Sequence, residues 1–292
     1  MGLIEDSIKN IKSSRAAMKK RSRVKKYLEN NRVPWSEGYE DYKWIEIEKA
    51  IRNDSLLESF RNNQNLPGYG IGMDERLIEY PYVFSRLRKG KSVLLDAGST
   101  FNFETIVSHP MVAEKELCIY TYHPESWNFI DRRISYDFGD LRVLPFRNAW
   151  FDEIVCISTL EHVGMDNSIY GYGEEELTHH GSGSYKMAVE ELVRVLKPGG
   201  QLLMTFPFGK NINYGFFQQF DSTMLDVIRK IMDAEGKVEF TFFKYQVEGW
   251  LYSNEESCRD AESFNPHTGQ GRQNDGAAHS RAICALRFIK NQ

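Results

Sequence analysis

The chain has 292 residues, 41% hydrophobic and 27% charged, a balance that suits a globular protein able to bury a full core without disulfides or a structural metal. A formal net charge of −4 argues against a general nucleic-acid binder. Cys118, Cys156, Cys258 and Cys284 are far apart, with no CxxC or Cys/His cluster, so no metal site is expected. MGLIEDSIKNIKSS has no apolar leader-like stretch and no run is long and apolar enough to span a membrane, so a reducing cytoplasm is the simplest compartment.

Residues 1–30 carry Lys9, Lys12, Arg15, Lys19, Lys20, Arg21, Arg23, Lys25 and Lys26 against Glu5, Asp6 and Glu29. They read either as a solvated helix or as an electrostatic arm for an anionic partner. Residues 39–62 read as helix, with Tyr42, Ile45, Ile47, Ile51 and Leu56 on a loosely apolar stripe. A Gly-rich loop, LPGYGIGMDER, leads to a second helix, LIEYPYVFSRL, with Pro81 near its first turns or kinking it. The pattern then changes to short apolar runs: VLLDAG at 93–98, ELCIYTY at 116–122, EIVCIS at 153–158 and QLLMTFP at 201–207. Such runs between helical stretches predict a mainly parallel sheet covered on both faces, with a helical extension over 1–88 ahead of a sheet domain over 89–292. Met187–Leu196 reads as a helix stopped by KPGG. KVEFTFFKYQV at 237–247 and RAICALRFIK at 281–290 suit an antiparallel terminal hairpin at a sheet edge. Between them a polar stretch of Gly and Asn reads as an excursion or lid. There is no internal repeat and no low-complexity tract.

Three blocks carry chemistry. In VLLDAGSTFN an apolar strand ends at Asp96, and the small residues Ala97, Gly98, Ser99 and Thr100 let backbone N–H groups approach a ligand. Asp96 either orients that turn or binds an ammonium group. In GDLRVLPFRNAWFDEIVCISTLEHVG, Asp140 precedes an LPF turn, and a buried strand ends in Ser158, Thr159, Leu160, Glu161 and His162. The third block is VEELVRVLKPGGQLLMTFP, a helix, a stop and a strand.

In order and spacing, these blocks make the chain resemble the class I S-adenosylmethionine-dependent methyltransferases. MDERLIEYPYVFSRL is similar, less specifically, to small-molecule methyltransferases of surface-polysaccharide biosynthesis. The resemblance covers about 90–207, and 237–290 by its terminal hairpin pattern. It implies an α/β doubly wound, Rossmann-like sheet of seven strands holding S-adenosyl-L-methionine over the C-terminal ends of its first strands. It also implies that Asp96 and Gly98 lie near the methionine part, with Ala97 and Ser99 beside them. Asp140 and Leu141 would lie at the adenine, and Ser158, Thr159, Glu161 and His162 along the transfer cleft. Glu79 and Tyr80 would help cover the cofactor. Two departures stand out. The glycine loop is degenerate, AGSTFN in place of a GxGxG form, with Ser99, Phe101 and Asn102 narrowing the space. The second strand ends in Thr121 or Tyr122 where the family carries a ribose-binding carboxylate, and Glu125 is a substitute nearby.

A hydroxyl acceptor benefits from a general base, and His162 is the first candidate, with capping of the following helix as its structural alternative. Glu161 would hold substrate or the cofactor ammonium. His179 and His180, in GEEELTHHGSGS, are candidates for base or substrate contact; adjacent histidines diverge, so metal binding with Glu174, Glu175 and Glu176 is not expected. Phe208, Lys210, Tyr214, Phe216 and Phe217 offer a wall suited to a sugar ring or nucleotide, or else pack under a loop. Trp250 and Tyr252 line the same cleft or pack an edge strand. His267 and His279 receive no role. The expected function is methyl transfer to a small acceptor, a sugar, sugar-nucleotide or glycan hydroxyl. Ser158–His162 stands where many amino-group methylators of bases carry Asn/Asp-Pro-Pro-Tyr. The competing reading is a scaffold that keeps the fold without the reaction. A nicotinamide oxidoreductase is disfavoured because GxGxxG is absent.

Overall fold

The computed structural model describes residues 2–168 and 183–292, with side chains from residue 15 onward. Neighbouring residues on one strand serve opposite layers, and this organises the molecule. Leu94, Ile119, Val155 and Ile157 face one apolar core, while Leu95, Cys118, Ile154 and Cys156 face the other. A strand buried on both sides needs a continuous apolar run, which is what the sequence supplies.

The strands are β1 (Val93–Ala97), β2 (Glu116–Thr121), β3 (Ile134–Phe138), β4 (Phe151–Ile157), β5 (Leu196–Pro207), a small ladder of β6 (Ile212–Asn213) with β7 (Gln218–Gln219), then β8 (Gly236–Gln246), β9 (Gly249–Ser253) and β10 (Ala282–Lys290). The main sheet has the order β3-β2-β1-β4-β5-β10-β8-β9. β1 to β5 are parallel, and β10 runs antiparallel to both β5 and β8. The seven expected strands are present, and an eighth, β9, is added outside them. The terminal antiparallel pair therefore does not form the edge: β10 inserts between β5 and β8, and β9 takes the outer position. From β1 the chain winds to β2 and β3 on one side, then returns to lay β4 on the other. The crevice above the C-terminal ends of β1 and β4 is thus the switch point where open α/β sheets take ligands.

The helices are α1 (Gly2–Glu29), α2 (Tyr39–Ile51), α3 (Asp54–Arg61), α4 (Arg76–Phe84), two single turns α5 (Glu104–Val107) and α6 (Pro110–Ala113), α7 (Tyr185–Val195), α8 (Ser222–Asp233) and α9 (Glu255–Cys258). The single helix expected over 39–62 is two, because the Asn53 side chain accepts from Leu56 N and starts α3 afresh. KPGG lies in the first part of β5, after α7 has ended, and forms an irregularity in the pairing with β4. Within α4, Pro81 has no N–H for the Leu77 carbonyl, and Tyr69 Oη donates to that oxygen at 2.7 Å instead. α2, α3 and α4 share one apolar core with a sheet face through Ile47, Phe60, Leu77, Tyr82 and Phe243. α7 and α8 cover the other face.

The polar stretch after β9 is anchored rather than structureless. Arg281 reaches the carbonyls of Glu262 and Gly271 and pairs with Asp275. Trp250 and Tyr252 pack on the helical side, donating to Met73 O and Phe60 O, away from the cleft. Among the described residues no helix is long and apolar enough to cross a membrane, and no group of His, Cys, Asp and Glu side chains is arranged to hold a metal.

Candidate active site

A cleft of about 300 Å³ opens at the switch point. The turn after β1 forms part of its floor, and Asp96 builds that turn. Its fully buried carboxylate accepts from Thr100 N (3.2 Å), Thr100 Oγ1 (3.0 Å) and Phe101 N (2.7 Å). Of the two roles open to it, Asp96 performs the orienting one. Burial lifts its pKa to about 7 against the pull of these three donors. Tyr80 braces the same turn, donating to Thr100 O at 2.5 Å.

Gly98 is required by a close approach. Its φ is +126°, and a Cβ there would meet Thr159 Oγ1, from the end of β4, at 2.0 Å. The turn is thus tight because two strand ends touch. Phe101 does not narrow the cleft, because it is buried in the helical-side core beside Phe84. Asn102 turns aside to bond Glu125, Trp127 O and Tyr136.

Of the expected cofactor residues, Gly98, Thr121, Asp140, Leu141, Ser158 and Thr159 line the cleft, as does the substitute Glu125. Asp96, Ala97, Ser99 and Tyr80 are buried behind this surface, with Asp96 and Tyr80 bonded to the turn and Ala97 in the core. Asp140 is held by Arg142, whose Nε lies 2.9 Å from both carboxylate oxygens.

The far end is built by Ser158, Thr159, His162 and the segment Val163, Gly164, Met165 and Asn167. Ser158 has φ +39°, a left-handed conformation unusual for a residue with a Cβ. Its hydroxyl donates to buried Glu79 Oε1 at 2.5 Å, and Thr205 Oγ1 donates to the same oxygen at 2.7 Å. Glu79 therefore sits under the wall as a clamp between α4, β4 and β5. His162 lines the cleft, with Nδ1 2.8 Å from Phe216 O and its ring stacked on Phe216. A carbonyl only accepts, so Nδ1 carries the proton and the neutral ring keeps its lone pair on Nε2. Burial pulls the His162 pKa down to about 4. Glu161 points into the protein, and burial pushes its carboxyl well above the usual range, the neighbouring Glu79 adding to the effect. His179 and His180 lie outside the described residues.

Phe216 and Phe217 flank His162, with Tyr214 stacked on Phe217 at 4.4 Å. Phe208 belongs to the core and Lys210 pairs with Glu262. Three participants had no sequence signal. Arg76 and Arg142 are cations on the cleft wall. His279 meets Glu75 at 2.9 Å; although burial opposes charge on both, Glu75 raises the His279 pKa, while His279 and Arg76 hold Glu75 at about 2.

Residues 122–204 match a family model described as a methyltransferase domain. No curated protein sequence matches the chain. Among solved structures, the chain is similar to the 1,6-didemethyltoxoflavin-N1-methyltransferase of Burkholderia thailandensis, solved with 1,6-didemethyltoxoflavin and S-adenosylhomocysteine, at 12% identity over 96% of this chain and 90% of that one, with a TM-score of 0.43. It is similar to the N-methyltransferase NodS of Bradyrhizobium japonicum in complex with S-adenosylhomocysteine, at 14% identity over 86% and 99% of the two chains, TM-score 0.43. A SAM-dependent methyltransferase from Methanosarcina mazei is similar at 11% identity over 72% and 98%, TM-score 0.42.

Proposed function

We propose that the chain is an S-adenosylmethionine-dependent methyltransferase acting on a small acceptor. The observation that carries this reading is the open cleft at the switch point, whose glycine-poor turn is kept clear because Phe101 and Asn102 pack elsewhere. The match of residues 122–204 to a methyltransferase domain supports it. The donors present fit the cofactor. Glu125 and Thr121 offer acceptors for ribose hydroxyls in place of the family's carboxylate, and Asp140 with Leu141 suits an adenine edge. When bound, the cofactor supplies an electrophilic methyl group on a sulfonium sulfur.

The chain's own work is alignment and proton removal. Asp96 and Tyr80 hold the turn, Thr159 closes over Gly98, and Glu79 fixes Ser158 at the strand end. His162 receives a proton from an acceptor hydroxyl at Nε2, and its depressed pKa keeps the imidazole unprotonated at neutral pH. Phe216 and Phe217 pack in a buried cluster with Tyr214 behind His162 and hold its ring, so they form no wall of the cleft. A sugar or glycan hydroxyl as acceptor rests on the resemblance of MDERLIEYPYVFSRL. The exposed basic side of α1 serves an anionic partner, and the four free cysteines suit a reducing cytoplasm.

Calorimetry with S-adenosylhomocysteine tests the reading. Saturable binding that weakens in Asp140→Ala is expected; no heat at millimolar ligand would defeat it.

A further inference from the structure

Arg76 is the first residue of α4 and reaches the cleft wall. Among the described residues its guanidinium has one side-chain partner, Glu79 Oε2, 3.1 Å from Nη1. The side chain keeps 28% of its surface open on the cleft wall, and among the described residues no acceptor bonds Nη2 or Nε. Arg142, the other arginine of the cleft, is gripped by Asp140 through several contacts. A five-donor fork with a single partner is an incomplete site for a planar anion.

The acids around Arg76 are shared with other donors. Asp74 is taken by Lys43 at 3.0 Å and Glu75 by His279 at 2.9 Å. Glu79 divides its acceptors among Arg76, Ser158 and Thr205, and burial pushes its pKa upward. Glu161 is pushed well upward by burial, and His162 is neutral. Arg76 stays charged, since Glu79, Tyr80 and Glu75 outweigh the opposing effect of burial. Glu79 also ties the position of Arg76 to Ser158, so the cation is fixed beside the end of β4.

We propose that Arg76 is the anion subsite of the cleft and takes the carboxylate of a ligand lying across Gly98 and Thr159. Two ligands could bring it: the amino-acid end of the methyl donor, which rests on the methyltransferase reading, or an acid group on the acceptor, for which an acetate probe needs no such premise. Glu79 is the positioning residue.

The test uses the intact chain labelled with nitrogen-15. The Arg76 Nε–H resonance is recognised by its loss in Arg76→Gln and Arg76→Lys. Three probes are added: 5′-methylthioadenosine, which lacks the amino-acid carboxylate, S-adenosylhomocysteine, which has it, and sodium acetate. A shift with S-adenosylhomocysteine but not with methylthioadenosine assigns the carboxylate to the donor. Arg76→Gln should then weaken S-adenosylhomocysteine at least about tenfold and methylthioadenosine less than about twofold, with Arg76→Lys between. A shift with acetate on protein already saturated with S-adenosylhomocysteine, which itself produced none, assigns it to the acceptor. No shift with any probe overturns the proposal. If neither nucleoside binds the parent protein, the methyltransferase reading fails by itself, and acetate on the free protein still decides the subsite. The shifts are read on the parent chain, so a poorly folded variant does not remove the test.

Discussion

Asp96→Ala removes a wholly buried carboxylate from a turn that depends on it. Thr100 N and Phe101 N would each lose an acceptor. A buried N–H left without a partner costs about 1–3 kcal/mol, so the two together cost about 2–6 kcal/mol. Opposing this is the burden of holding a charge in the interior. Burial lifts the Asp96 pKa to about 7 in the folded chain, against ~3.9 for an unfolded aspartate. Between these values the native state binds more protons than the unfolded state, so the stability contributed by this group falls as pH rises and levels off above about 7. From pH 5 to pH 8 the fall is about 3 kcal/mol. The variant lacks this slope. Urea unfolding followed by circular dichroism at the two pH values should therefore show Asp96→Ala costing about 3 kcal/mol more at pH 5 than at pH 8. An equal cost at both would refute the buried, protonatable turn acid. An absence of cost at pH 5 would refute the hydrogen bonds as the turn's support.

Gly98→Ala would place a methyl group 2.0 Å from Thr159 Oγ1 at a φ of +126°. It should lose more than about 2 kcal/mol in urea unfolding, and adding Thr159→Gly should recover part of that loss. Tyr69→Phe removes the donor to Leu77 O and should cost about 1 kcal/mol. In a Pro81→Ala background, where a backbone N–H can serve that oxygen, the cost should shrink, and additive costs in the double-mutant cycle would contradict the compensation. His162→Gln should lower turnover with little change in S-adenosylhomocysteine affinity. It should also flatten the acid limb of stability. The folded His162 sits at about 4 and an unfolded histidine near ~6.5, so stability is lost as pH falls through that interval, by up to about 3 kcal/mol. Parallel stability curves for parent and variant from pH 4.5 to 7 would show that His162 is not buried as an uncharged ring.

Much of the fold was legible because local pattern constrains backbone. VLLDA, ELCIYT and FDEIVCI are runs that only a strand buried on both faces accommodates, and each forms one. ISYDF was not singled out, since its exposed and half-exposed side chains give an edge strand no apolar run. For GWLYS the sequence left cleft lining and edge-strand packing both open, because the run is short and passes directly into the polar stretch; its side chains, buried or half-buried, take the edge-strand place. The lining of the cleft was legible where a motif follows a strand, at Gly98, Thr121, Asp140, Ser158, Thr159 and His162. Arg76 was not, because nothing in MDER distinguishes a cleft cation from a solvated helix start.

The sequence by itself determined the alternation of layers and the small turn after the first strand, because these depend on neighbours a few residues apart; which of its two roles Asp96 takes was settled by its hydrogen bonds in the fold. Only the tertiary structure decided that Thr159 sits over Gly98, that Glu79 links Arg76 to Ser158 and Thr205, that Glu75 meets His279, and that β10 enters between β5 and β8. Polar groups far apart in the chain carry no mutual signal. They become partners when packing excludes water and each buried donor or acceptor must be satisfied by whatever the fold has brought beside it.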